Sequence, residues 1–439
     1  MKSRTSVAIV GGGFSGTILA AQLARRGIDS VLIDGSGRAG KGVAYSTTEP
    51  AHLLNVRAEG MSAWSGDPTH FAERFQSEGG DARGFAQRRL FGRYLGDILD
   101  DAVESGHTHP LHASATGAEH GGGHWQIELG DGSRIEADAL VLAIGNQEPE
   151  SLGAFAGAGK RYIANPWAAD ASAAVAELAE NGGAALLVGT GLTMVDLVLS
   201  LDAAGHTGKI VAVSRRGQVP RSHADFQPAP VEAAEVPQGN VRAMWRWLRR
   251  RSAQFGWRAA VDSLRPHSHA LWQSLDADQQ RRFLRHARPW WDVHRHRIAP
   301  EVAATVARLV SEERLEIMAG RIVSVTDTGS ALEVGIRRRG ASEPRQMTFD
   351  FAFNCTGPLH VIEHTRDPLL RSLLDAGMAR PDQLNIGLEV DPQSRVAGGE
   401  RLWALGPLTK GRYWEIIAVP DIREQAAAVA DDIERELRA

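Results

Sequence analysis

The chain is 439 residues long, with 43% apolar and 23% charged residues and a formal charge of −4. That length supplies cores for two or three domains, and so small a net charge gives no global pull toward nucleic acid. A single cysteine, Cys355, excludes an intramolecular disulfide, a dithiol redox pair and a cysteine metal cluster. It fits a reducing cytoplasm, where the protein is expected.

Lys2 and Arg4 precede an apolar stretch that runs to Ala24 and superficially resembles a secretory leader. Glycines interrupt it, and cleavage inside it would destroy the supersecondary unit it begins, so it is read as structure. No other stretch is apolar for long enough to span a bilayer, and no membrane partner is expected.

Residues 6–10 (SVAIV) read as a buried strand, TILAAQLARRG as a helix and DSVLID as a second strand, a βαβ unit. Its turn carries Gly11, Gly13 and Gly16 in the G-x-G-x-x-G spacing. The first glycine allows the tight turn, the second lets backbone approach a pyrophosphate, and the third lets helix and strand pack closely. The helix N-terminus adds unpaired N–H groups and a positive dipole end. Asp34 ends the second strand, where an acid accepts hydrogen bonds from ribose hydroxyls.

Farther along, GAEHGGGHWQIELGDGSRIEADALVLAIG predicts a hairpin turning at Gly130–Gly132 and leading into a buried strand. A second βαβ unit then follows: AALLVG, LTMVDLVLSLDAAG and KIVAVS. Gly189 and Gly191 repeat the loop with Leu192 and Thr193 opening the helix, but Met194 occupies the third small position, which predicts looser helix–strand packing. Ser214, Arg215 and Arg216 stand where the first unit has its acid. Arginine there favours a 2′-phosphate through charge-assisted hydrogen bonds, which points to NADPH; a merely solvated strand end is the alternative. Two such units make sense when one holds FAD and the other admits the hydride donor.

DFQPAPVEAAEVPQG reads as a loop entering a helical insert at about 240–300. From Val241 to Ile298 there are thirteen arginines against four aspartates, together with Trp245, Trp247, Trp257, Trp272, Trp290 and Trp291. Basic residues interleaved with aromatics bind single-stranded nucleic acid or form a lid over a nucleotide, and the flavoprotein layout favours the lid. Its arginines suggest a carboxylate-bearing substrate. His286, His294 and His296 have no matching ligand cluster, so no metal is expected.

The stretch GKGVAYSTTEPAHLLNVRAEGMSAW ending at Trp64, with VGTGLTMVD, SRRGQVPRSH, FNCTGP and LGPLTKGRYWEIIAVPDIREQA, resembles the FAD/NAD(P)-binding proteins of the YdhS-like group. More distantly the layout is similar to flavin monooxygenases with two dinucleotide domains. The resemblance implies an α/β fold of two Rossmann-like domains with a mainly helical insert. FAD would occupy 1–155 and 326–439, and NADPH 156–325. It further implies that Gly11, Gly13, Phe14, Ser15 and Gly16 line the FAD pyrophosphate, with Asp34 on its ribose. Gly42, Val43, Ala44, Tyr45, Leu54, Asn55, Val56 and Met61 would continue along the flavin, although Tyr45, His52 and Asn55 read equally well as loop or core. Ala143 and Gly145 would return to the cofactor, and Gly406, Pro407 and Leu408 would pass near its ring system. Cys355 reads as a buried small hydrophobe rather than a nucleophile.

A Baeyer–Villiger fingerprint fails: Phe155 and Gly157 match, but Arg161 and Asn165 replace its histidine and tryptophan, with Trp167 two residues late. The expected reaction is therefore NADPH-driven oxygen transfer from a flavin C4a-(hydro)peroxide to a small amine or amino acid. The alternatives are a dehydrogenase or oxidase without oxygen insertion, and a flavin-bound sensor or nucleic-acid-binding protein.

Overall fold

A computed structural model describes residues 4–438; Lys2, part of the leader-like pattern, lies outside them. The first sheet contains β1 (Arg4–Val10), β2 (Ser30–Ile33), β3 (Thr108–Leu111), β4 (Ala115–Gly121), β5 (His124–Leu129) and β6 (Arg134–Leu142) in the order β3-β2-β1-β6-β5-β4. The first four of that order are parallel, and β5 and β4 continue antiparallel.

The unbroken apolar run of β1 is explained by cover on both faces. Val7 and Ile9 pack with Leu19 and Leu23 of the Phe14–Ala24 helix and Val429 of the Val419–Arg438 helix. Ala8 and Val10 face a separate core containing Trp125, Leu369 and Leu373.

The second sheet takes β7 (Tyr162–Ile163), β8 (Ala185–Val188), β9 (Ile210–Ser214), β10 (Leu315–Asp327), β11 (Leu332–Arg338), β12 (Arg345–Phe349) and β13 (Phe351–Asn354) in the order β12-β11-β10-β9-β8-β13-β7. Strands β11 to β13 therefore lie in this sheet, and the chain returns to the first one after Asn354 rather than at residue 326. The cause is the antiparallel β10–β11–β12 meander, which extends the second sheet before β13 inserts beside β8. After the return, β14 (Leu402–Ala404) pairs with the end of β6.

A buried ion pair joins the two units. Arg88, on the Arg88–Glu104 helix, donates from both Nη atoms to the two oxygens of Asp196 at 2.9 Å each. Asp196 sits on the Leu192–Ala203 helix of the second unit, and its carbonyl lies 3.0 Å from His52 Nε2. The His223 ring likewise bonds the Asn55 carbonyl at 3.0 Å across the junction.

The insert is helical from Val241 to Arg295. Leu248, Val261, Leu264 and Trp291 form its own small core, with Trp245, Trp247 and Trp257 packed against it. It docks on the late segment of the chain: Trp272 Nε1 donates to the Gly411 carbonyl at 2.8 Å, and Arg295 Nε to Glu415 Oε2 at 2.8 Å. Arginines and tryptophans meet in part: Arg251 lies over the Trp247 ring at 5.3 Å and Arg258 over the Trp257 ring at 4.3 Å. Arg242, Arg246, Arg249 and Arg250 share an exposed helix face, while Arg288 lines a cavity. Most of the insert's arginines face solvent rather than a nucleotide. Among the described residues, no helix is long and apolar enough to cross a membrane.

Candidate functional site

The first glycine turn is constrained from three sides. Gly11 has φ +107°, and a Cβ there would lie 2.4 Å from the Ala143 carbonyl oxygen. A Cβ on Gly16 would lie 1.9 Å from the carbonyl oxygen of Gly11, so the third glycine is required by backbone against backbone. Gly42, at φ +58°, closes on Gly13, and Gly406, at φ +65°, closes on Ser15. The residues read from distant stretches of sequence, Gly11 to Gly16, Gly42, Ala143 and Gly406, therefore meet at one helix N-terminus. That helix has no side-chain cap, so its first N–H groups are left without a side-chain partner, the arrangement that suits an anion.

Asp34 is positioned by the turn itself. Its Oδ2 accepts from Gly12 N at 2.7 Å and its Oδ1 from Ser36 N at 2.8 Å. A carboxylate has further lone pairs, so acceptor capacity remains for a ribose hydroxyl.

The structure disperses other expected contacts. Leu54 and Met61 are buried in a core cluster with Phe14 and Phe91, and Val56 packs on its edge. Tyr45 lies edge-on to Phe91 at 4.7 Å, and burial pushes its hydroxyl up to about 12. Pro407 and Leu408 are buried beside the first loop, with Leu408 in the core of the first sheet. Val43 and Ala44 are exposed, and Gly145 has φ +69° with open space around it.

In the second turn Gly189 has φ +127°, and a Cβ there would lie 2.1 Å from the Cys355 carbonyl oxygen. Gly191 caps the Leu192–Ala203 helix, again with no side-chain cap. Met194 is fully buried in the core of its unit: the helix stands farther from its strands than the first-unit helix does, as expected, and the side chain fills the space that a closer approach would have closed. Thr190 Oγ1 lies 2.8 Å from Ser214 Oγ, at the positions that Gly12 and Asp34 occupy in the first unit. Cys355 is buried, and desolvation pushes its thiol up, away from the thiolate.

This second turn opens on a cavity of about 1130 Å³, lined by Gly189 to Thr193, by Arg215, and on the facing side by Lys410, Trp414 and Glu415. Arg215 faces the cavity and Arg216 does not line it. Arg321 does; it extends from β10, which runs parallel to β9 with Ala319 opposite Ser214. Sequence reading missed Arg321, since its nearness to Arg215 depends on strand register.

Several charged groups around this cavity are perturbed. His360 is pushed down to about 4 by burial, with the charges of Arg288, Lys410 and Arg215 adding to the effect. Lys410 falls to about 8 through burial and then Arg288. Asp292 is raised by burial, against the pull of Arg288 at 3.2 Å. Glu415 has φ +74° and lies against the insert. Burial opposes its ionisation, but Arg295, His296 and the Trp291 indole N–H outweigh that and hold it below the usual carboxylate range.

The histidines of the insert do not converge. His294 bonds the Trp290 carbonyl at 2.7 Å, His296 faces Glu415, and His286 is exposed. Among the described residues, no three His, Cys, Asp or Glu side chains form a group that could hold a metal.

Residues 8–147 match a family model described as FAD-NAD(P)-binding. A search of curated proteins finds no match. Among solved structures, the chain is similar to L-lysine 6-monooxygenase from Pseudomonas syringae, at 18% identity and TM-score 0.68 over 98% of this chain and 99% of that one. It is similar to ornithine N-hydroxylase from Kutzneria sp. 744, solved with reduced FAD, NADP+ and L-ornithine, at 15% identity and TM-score 0.65 over 99% and 100%. It is also similar to thioredoxin reductase from T. acidophilum, at 12% identity and TM-score 0.56 over the full length of both chains. At such identities the likeness establishes the fold: two Rossmann-like α/β domains.

Proposed function

We propose that the protein is an FAD-dependent, NADPH-using oxidoreductase that hydroxylates the nitrogen of a small amine. The observation that carries this reading is the pair of uncapped glycine-turn helices, one beside Asp34 and the other opening with Arg215 on the large cavity. Glycine at 11, 16 and 42 lets backbone pack on backbone so that the turn closes tightly around an uncapped helix N-terminus, an arrangement that fits a pyrophosphate. Bound there, FAD would supply the hydride acceptance and oxygen activation that no side-chain constellation of this chain provides.

The chain's own residues bind, orient and shield. Gly11 to Gly16 and Asp34 hold the FAD phosphates and ribose, while Gly189 to Thr193 and Arg215 hold NADPH. The insert, locked to the late segment through Glu415, covers the cavity and limits water. The amine hydroxylases support nitrogen as the target, since their folds align over nearly the whole chain. A disulfide reductase reading has no support, because the only cysteine is buried beneath the second glycine turn.

The test is product analysis on purified protein with FAD, NADPH, O2 and a panel of amines. A hydroxylated product with matched NADPH consumption is expected. Stoichiometric H2O2 with unchanged amine would assign an oxidase, and failure to bind FAD would overturn the whole reading.

A further inference from the structure

Four cations line the cavity, more than a 2′-phosphate needs, and the carboxylates that share the lining, Glu150, Asp292 and Glu415, are engaged by His364, Arg288 and Arg295. Arg215 follows the end of β9, and Arg321 lies midway along β10, just past the Ala319–Ser214 pairing where β9 ends. Lys410 and Arg288 form a second group, from the first domain and the insert respectively, and His360 lies between the two groups, sensing Arg288, Lys410 and Arg215.

Lys410 is the most deeply placed of the unpaired cations: Arg215 and Arg321, which likewise make no ion pair among the described residues, are exposed, whereas Lys410 is half-buried. It follows the Gly406–Thr409 turn that closes on Ser15 of the first loop. Its ammonium faces the cavity and makes no hydrogen bond or ion pair among the described residues. The nearest acid acting on it is Asp382, but that carboxylate already accepts backbone N–H groups from Leu384 at 2.7 Å, Ile386 at 3.0 Å and Gly387. Arg288 spends one donor, Nε, on Asp292 at 3.2 Å and rests over the Trp414 ring at 5.7 Å, so its two Nη groups remain available. Burying two like charges together without an anion is unfavourable, which is why the Lys410 ammonium falls to about 8. An anion between them would relieve both.

We propose that Lys410 and Arg288 form the subsite for the carboxylate of the substrate, so that this protein acts on amino acids in preference to the corresponding decarboxylated amines. The proposal rests on the reading of the protein as an amine-oxidising flavoenzyme. It selects one of two chemistries that reach the same cavity, since a phosphate of NADPH is the other anion that could meet these cations.

The experiment measures dissociation constants by calorimetry on the FAD-loaded protein with NADP+ present. L-Lysine is paired with cadaverine, L-ornithine with putrescine, and other α-amino acids with their own decarboxylated amines. The acids are expected to bind on the order of tenfold or more tightly than their partners, the scale of charge-assisted hydrogen bonds. In Lys410→Met that ratio should fall toward one, and Lys410→Arg should restore it; Arg288→Gln is the second variant should Lys410→Met not fold. Using the ratio within each variant cancels a general loss of affinity. Equal binding of acid and amine, no binding by any acid, or a ratio unchanged in Lys410→Met would overturn the subsite. A Lys410→Met effect confined to NADP+ affinity would also overturn it and assign the cation to the cofactor. A wild-type protein that takes up no FAD would instead show that the flavin reading itself had failed.

Discussion

The two glycine turns solve the same problem with different parts. In the first, Gly16 is enforced by the Gly11 carbonyl, and the end of β2 reaches the turn through a carboxylate, Asp34 to Gly12 N. In the second, the third position holds a buried methionine, and the end of β9 reaches the turn through two hydroxyls, Ser214 and Thr190. The small third residue is therefore a consequence of how closely one helix approaches one turn, rather than a property of nucleotide binding. Replacing the acid by a hydroxyl also removes a negative charge that would repel a 2′-phosphate, and in the proposed reading Arg215 would supply the attraction.

The sharpest way to break this contrast is Gly16→Ala. A methyl group 1.9 Å from a carbonyl oxygen cannot be accommodated without shifting the turn, so the protein should purify with little or no FAD, read from its visible absorbance. Met194→Ala comes next. It brings the second loop closer to the G-x-G-x-x-G/A pattern yet opens a void in a packed core, and should cost about 2–5 kcal/mol in urea unfolding. Improved stability would show that the methionine is a mismatch after all.

Cofactor preference should respond less. Arg215→Ala is expected to lower the NADPH-over-NADH ratio of kcat/KM on the order of tenfold, with Arg321→Ala comparable and Arg216→Ala close to neutral. An unchanged ratio in the triple variant would remove the 2′-phosphate site from this end of β9.

The smallest effect is a pH dependence at the junction of the units. His223 is pushed down to about 4, chiefly by burial and further by Arg297 and Arg57, against the Asn55 carbonyl bond. Between pH 6.5 and about 4 the unfolded histidine binds a proton that the folded one refuses, so stability falls as the pH falls through that window. His360 acts in the same direction. His223→Gln should therefore lessen the drop in urea midpoint between pH 7 and pH 5.

What could be read from sequence was whatever a short stretch determines by itself. The first βαβ unit, the tight turn at Gly11 and the continuous apolar run of β1 follow from local sterics and burial, and the structure has them. The placement of β11 to β13 was not legible, because a meander after β10 gives the same alternation whichever sheet receives it. Arg321 was hidden by strand register, and Lys410 by the distance in sequence between the late segment and the insert. Leu54 and Met61 belong to a run with family character, and their side chains sit in the core beside Phe14 at the start of the first-loop helix.

The Arg88–Asp196 pair also bears on how the molecule can move. Both oxygens of a carboxylate that is nearly inaccessible are taken by one guanidinium from the other unit, and parting them would leave a buried charge uncompensated at a cost of about 3–5 kcal/mol. A hinge at this junction is thus held shut, and we expect nucleotide reduction and substrate delivery to share a single rigid-body pose of the two units. Any breathing that lets a nucleotide in or out then falls to the insert, whose latch on the first domain runs through Glu415.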